Sequence, residues 1–385
     1  MRYTVSCAAS SMAPPAVINP SLADLNALIL TQCPPIDKSW ADHEAAKVAA
    51  SPPSDRTVVK EKKSHVSSKA KAKQQSYAHE CRLLNRRLMA PDGLFPELAH
   101  GVQVKQMAAR STLDNAKVPI LRYSRRQDAG TRPDAVLIYY HGGGLWIGEA
   151  DSEELSCRKL LVGNYHVYSV GYRLLPDYAG SVCLSDAVDA CQQILRWAVP
   201  GPRPRVVIVG SSSGGELAAL VSQHVVQHSL ETSTAIPFCG TILRCPVTSD
   251  VWSGRDYVPE PVRHMHTTAQ PAFYTSIAGD MKRLVPRDGL EAMPLEAPPH
   301  VLAHMPPTWL QLATNDVLYA DGLCYAALLR IHQRALALDV VHNFPHTFWL
   351  LAPHLPRAIT ADAAMVDGLR WILQQAEETE TEAEA

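Results

Sequence analysis

From about residue 100 to about residue 375 the chain alternates short apolar runs with amphipathic stretches of helical period, joined by short loops. Few architectures accept that pattern, because strands covered on both faces read as near-continuous apolar runs and a helix between them returns the chain to make them parallel. The expected strands are VQVKQM, VPILRYS, AVLIYY, HVYSVGY, RVVIVG, CGTILRC, TWLQLAT and LDVVHNF. Expected helices include LSDAVDACQQILRWA, stopped by Pro200 and Gly201, GGELAALVSQHVVQH directly after RVVIVG, and ADGLCYAALLRIHQRAL between the last two strands. The fold class is therefore α/β, a mostly parallel eight-stranded sheet with flanking helices.

The rhythm fails in three places. Residues 1–76 are rich in Pro, Ala, Ser and Lys and carry the basic run VVKEKKSHVSSKAKAKQQ, which reads as a flexible or peripheral helical region. Residues 249–305 are rich in Pro, His, Met and Arg, as expected of an insertion over the C-terminal edge of the sheet. The last ten residues, 376–385, are acidic, lack aromatics and are expected to be disordered. The α/β domain then spans 77–375, and no internal repeat is present.

Bulk properties narrow the function classes. Lysine plus arginine (36) nearly balance aspartate plus glutamate (38), so no overall field favours nucleic acid or an acidic membrane surface. No stretch approaches the ~18 apolar residues of a membrane span, and the N-terminus lacks the apolar run of a signal peptide. The nine cysteines are scattered and never spaced Cys-x-x-Cys, which reads as free thiols in a reducing compartment. A soluble cytoplasmic protein without stable membrane insertion is the expectation.

Two glycine-rich strings follow apolar strands. In YYHGGGLWIG, Gly142, Gly143 and Gly144 can present backbone N–H groups to an anion; a dinucleotide-binding loop starting at Gly142 would need glycine where Ile147 stands. VVIVGSSSGGELAA fits G-x-S-x-G through Gly210, Ser212 and Gly214, at a strand end and a helix start, which is where a nucleophile elbow belongs. A P-loop would need Lys-Ser/Thr after Gly215, whereas Glu216 and Leu217 follow.

A serine hydroxyl needs a base, and the base needs an orienting acid. Asp316 fits the acid at the end of TWLQLAT; Asp321, better read as a helix first-turn acid, and Asp250 are its competitors. His346 fits the base, since it follows the last expected strand and topology sets it on the sheet edge that holds Ser212 and Asp316. His264 and His266 in HMHTTAQ are the nearest thing to metal ligands, but no H-E-x-x-H or cysteine–histidine set accompanies them, so no metal site is expected.

With these residues in place the chain resembles the hormone-sensitive lipase family of α/β-hydrolases. His141–Gly144 look like its HGGG motif, GYRLLPDY from Gly171 to Tyr178 like its YRLAPEH segment with Asp186 downstream, Gly210–Gly215 like its GDSAGG elbow, and MPPTWLQLATNDVLYADG like its acid-bearing segment. Ser211 stands in place of the usual aspartate, Ser213 in place of alanine, and Thr347 in place of a small residue. The resemblance implies an α/β-hydrolase fold with a cap built from the N-terminal region and the 249–305 insertion.

It also implies a serine hydrolase acting on a small-molecule ester or related acyl bond, with Ser212 as nucleophile, His346 as base, Asp316 as its orienting acid, and an oxyanion hole from Gly142, Gly143, Gly144 and Ser213. No cofactor is needed. A dedicated hydrolase of a secondary-metabolite intermediate, for example a polyketide, and a non-catalytic small-molecule receptor are the alternatives.

Overall fold

The computed structural model describes residues 16–50, 66–198, 205–250, 257–273 and 285–384. Its strands are β1 (Val17–Ile18), β2 (Val102–Arg110), β3 (Lys117–Arg125), β4 (Ala135–Tyr140), β5 (Tyr165–Val170), β6 (Arg205–Ser211), β7 (Gly240–Arg244), β8 (Thr308–Asn315) and β9 (Leu336–Pro345). They form one sheet in the order β1-β9-β8-β7-β6-β4-β5-β3-β2. Strands β5, β4, β6, β7, β8 and β9 run parallel, whereas β1, β2 and β3 join antiparallel at the two edges. The eight expected strands are all present; the ninth, β1, is a two-residue edge too short to leave a periodic signal.

The helices are α1 (Leu22–Ala27), α2 (Lys38–Ala50), α3 (Val66–Leu88), α4 (Glu154–Lys159), α5 (Gly180–Ala198), α6 (Ser213–Glu231), α7 (Glu260–Arg263), α8 (Pro299–Leu302), α9 (Tyr319–Ile331), α10 (Phe348–Leu351) and α11 (Pro356–Glu384). Pro200 and Gly201, invoked as the stop after α5, lie outside the described residues. The central strands show why their sequences run apolar without alternation. In β4, Val136, Ile138 and Tyr140 pack into a core shared with α5, α6 and α9, while Ala135, Leu137 and Tyr139 pack on the other face with α4 and α11. Both faces are dry, so both parities must be apolar.

Two boundaries differ from expectation. The proposed break at residues 76/77 falls inside α3, which is helical throughout and docks on the domain: Gln74 Nε2 donates to the Trp146 and Leu175 carbonyls at 3.0 and 2.9 Å, and Arg82 pairs with Asp151 at 2.6 Å. The basic run is thus partly the solvated side of this helix, its residues before Val66 lying outside the described set.

The acidic end is not a disordered tail. Helix α11 continues through it to Glu384, and Arg205 at the start of β6 pairs with Glu377 at 2.6 Å and Glu380 at 2.9 Å. Glutamates three apart share a helix face, and the partner lies more than 170 residues earlier, where no local reading finds it. The described parts of 249–305 consist of α7, α8 and short 3-10 turns. No helix among the described residues is long and apolar enough to cross a membrane.

Candidate active site

Strand β6 delivers Ser212 to the carboxyl edge of the sheet, and α6 begins with the next residue. The turn between them is sharp. Ser212 has φ 54° and ψ −124°, a conformation that costs a non-glycine residue about 1–3 kcal/mol and persists only where its surroundings hold it. Here Ser212 N–H donates to the Arg244 carbonyl at 2.9 Å, and its carbonyl accepts from Glu216 N–H at 3.1 Å. Gly214 is required by close approach, since a Cβ there would lie 2.1 Å from the Tyr140 carbonyl oxygen.

The structure brings the three candidate residues together although they are far apart in sequence. His346, in the turn after β9, places Nε2 2.8 Å from Ser212 Oγ and Nδ1 2.6 Å from Asp316 Oδ2. Asp316, directly after β8, is held in turn because its Oδ1 accepts the Leu318 N–H at 2.9 Å. All three are buried. The tautomer that satisfies both contacts carries its proton on Nδ1 and leaves Nε2 to accept the serine hydroxyl.

The competing acids are engaged elsewhere. Asp321 accepts from Thr248 and Ser249 N–H, both at 2.8 Å, and lies 2.7 Å from His266 Nε2, so it ties the root of the insertion to α9. Asp250 accepts the Arg287 N–H at 2.5 Å. His264, the other histidine of HMHTTAQ, sits 2.9 Å from Asn26 Oδ1, so the two histidines have separate partners and do not converge.

A residue absent from the sequence argument, Cys245 after β7, has its Sγ grouped with Asp316 and His346 within 4.8 Å. Burial and the Asp316 charge push its thiol well above the usual range, which keeps it protonated and a poor metal ligand beside an imidazole and carboxylate already engaged with each other. The eight described cysteines are free.

The glycine loop lies against the elbow, but its donors are not equivalent. Gly142 N–H donates to Glu153 Oε1 at 2.6 Å, which removes Gly142 from the expected oxyanion donors because an N–H committed to a carboxylate is not offered to a substrate. Among the described residues the N–H groups of Gly143, Gly144 and Ser213 have no protein acceptor. The YRLLPDY segment supports this loop from beneath: Tyr172 stacks on His141 with centroids 4.4 Å apart and its hydroxyl donates to the His141 carbonyl at 2.6 Å, while Asp186 grips Arg173 at 2.8 and 2.7 Å.

Fully buried His141 has its pKa lowered to about 4 by desolvation. The unfolded chain binds a proton near pH 6.5 that the folded chain refuses until about 4, so this group contributes nothing to pH dependence above that window and destabilises the fold as pH falls through it. Thermal midpoints of wild type and His141→Gln between pH 7 and 4 should diverge, the variant losing less on acidification, with an effect on the order of 3 kcal/mol by pH 4. Parallel acid profiles would exclude this assignment.

Comparison with known proteins agrees with the geometry. The family model for the alpha/beta hydrolase fold matches residues 137–350, more than half of the chain. An ethyl acetate hydrolase of Pseudomonas putida is 28% identical over 265 residues, 68% of this chain and 80% of its own. A versiconal hemiacetal acetate esterase of Dothistroma septosporum is 24% identical over 276 residues, 66% of this chain and 77% of its own. Among solved structures, a Pyrobaculum calidifontis esterase matches with a TM-score of 0.64 at 20% identity, over 89% of this chain and 99% of its own, a likeness of fold. The chain belongs to the alpha/beta hydrolase fold family, among its hormone-sensitive-lipase-like carboxylic ester hydrolases.

Proposed function

We propose that the protein cleaves a small-molecule carboxylic ester through an acyl-enzyme on Ser212. The observation that carries this reading is the continuous chain Ser212 Oγ, His346 and Asp316, with contacts of 2.8 and 2.6 Å in a buried setting. His346 takes the serine proton as Oγ attacks the carbonyl carbon; the tetrahedral intermediate collapses, and His346 returns the proton to the departing alcohol. Water then attacks the acyl-enzyme by the same route and releases the acid. Asp316 keeps the imidazole in the required tautomer and stabilises its charged form.

The N–H groups of Gly143, Gly144 and Ser213 are the proposed donors to the oxyanion, each typically contributing about 2.7–4 kcal/mol. Gly143→Ala tests that loop. Gly143 has φ +121°, and a Cβ there would lie 2.1 Å from the Ile147 carbonyl oxygen, so the loop must move. The expected result is a fall in kcat of roughly 10²–10³-fold with little change in KM, measured on a short p-nitrophenyl ester. An unchanged kcat would remove the loop from the mechanism.

The direct experiment is labelling with a fluorophosphonate probe beside Ser212→Ala, followed by p-nitrophenyl esters of increasing acyl length. Labelling that depends on Ser212 supports the reading; a folded protein that is not labelled refutes it and leaves binding without turnover. Likeness to a versiconal hemiacetal acetate esterase favours one narrower version, a hydrolase dedicated to a secondary-metabolite intermediate. That version expects slow turnover across the whole generic ester series despite full labelling.

A further inference from the structure

Glu153, immediately before α4, is only 3% exposed. Its Oε1 accepts the Gly142 N–H at 2.6 Å and the Ser211 hydroxyl at 2.7 Å; its Oε2 accepts the same hydroxyl at 2.9 Å and the Tyr139 hydroxyl at 2.5 Å. One carboxylate therefore joins the end of β4, the glycine loop and the residue directly before the proposed nucleophile.

A buried carboxylate is costly, by several kcal/mol even after relaxation, and an apolar side chain would fill the same space more cheaply. What an apolar side chain would not do is register two loops against each other. The donors proposed for the oxyanion lie on both: Gly143 and Gly144 follow Gly142, and Ser213 follows Ser212.

The elbow carries a second tie of the same kind, because Ser213 Oγ accepts the Leu145 N–H at 3.1 Å. Both ties use serines that depart from the GDSAGG pattern. A carboxylate on residue 211 would point into the space of the Glu153 carboxylate, toward its two remaining donors, the Gly142 N–H and the Tyr139 hydroxyl.

We propose that Glu153 is a positioning residue for the hydrolysis, its carboxylate holding the Gly142–Gly144 loop in register with the Ser212 elbow from the start of α4. The assignment rests on the serine mechanism above. A register error on the scale of 1 Å between donors and nucleophile costs roughly 100-fold in rate, which sets the size of the expected effect.

The test uses the full chain and a short p-nitrophenyl ester, with kcat expressed per serine titrated by the fluorophosphonate probe. Glu153→Leu should lower kcat roughly 10- to 100-fold with KM within about threefold of wild type. Adding Ser211→Asp to that variant moves the carboxylate into the elbow and should recover at least about tenfold of the loss. Ser211→Ala, which removes only the elbow end of the tie and leaves the fold intact, should lower kcat about three- to tenfold at unchanged KM.

A merely structural Glu153 would reduce the amount of titratable enzyme without touching kcat per titrated serine, and the relocated aspartate would restore nothing. Wild-type kcat in Glu153→Leu overturns the proposal, as does wild-type kcat in Ser211→Ala if Glu153→Leu fails to fold. A wild-type protein that neither labels nor hydrolyses refutes the serine mechanism instead, and this assignment with it.

Discussion

Ser212→Ala is expected to lower kcat by roughly 10⁴- to 10⁶-fold and to abolish fluorophosphonate labelling, while the fold is retained with a modestly lower thermal midpoint. The size follows from chemistry: without Oγ no acyl-enzyme forms, and what remains is whatever the oxyanion donors and substrate binding do for direct attack by water. The sign of the stability change follows from the lost contact. Alanine keeps the strained φ of 54° but removes the buried hydroxyl and leaves its partner His346 Nε2 without a donor, at a cost of about 1–3 kcal/mol. A steady-state assay on p-nitrophenyl acetate beside a melting curve separates the two effects. Turnover within tenfold of wild type would require another nucleophile.

Asp316→Asn should cost roughly 10⁴-fold in kcat at near-normal KM. The asparagine amide can donate where the carboxylate accepted, so it favours the imidazole tautomer whose proton sits on Nε2 and faces Ser212 Oγ. That tautomer cannot take the serine proton. Because Leu318 N–H already bonds Oδ1, the side chain has little freedom to swing away and restore the productive state. Combining Asp316→Asn with Ser212→Ala should be no worse than Ser212→Ala alone, since residues that act as one unit are not additive. A full additional loss in the double variant would mean that Asp316 acts outside the unit.

Some of this was written in short stretches of chain. The strings AVLIYY and RVVIVG are apolar at both parities because β4 and β6 are covered on both faces, so their placement in the middle of a parallel sheet was readable locally. Ser212 was readable because small residues on either side and a following helix are a local requirement of the elbow. Asp316 and His346 were readable at one remove, because each follows a strand of one sheet and parallel strands end on the same edge.

Glu153 was not readable. Nothing in ADSEELSC marks it, since its role depends on Tyr139, Gly142 and Ser211 converging on it from two other segments. The loss of Gly142 from the donor set follows from the same convergence. Neither Arg205's hold on α11 nor the docking of α3 left a sequence signal, because each is a polar contact made across the fold.

The sequence by itself determined the fold class, the order of the strands along the chain and that Ser212 and His346 reach one sheet edge, because periodicity, turn chemistry and the polarity of parallel strands are local or topological properties. Only the tertiary structure decided which acid faces His346, which loop N–H groups stay unpaired and which buried carboxylate binds the glycine loop to the elbow. Those depend on distances of 2.5–3 Å between atoms tens to hundreds of residues apart, and a hydrogen bond made or missed at that range is set by packing, of which a single sequence carries no local record.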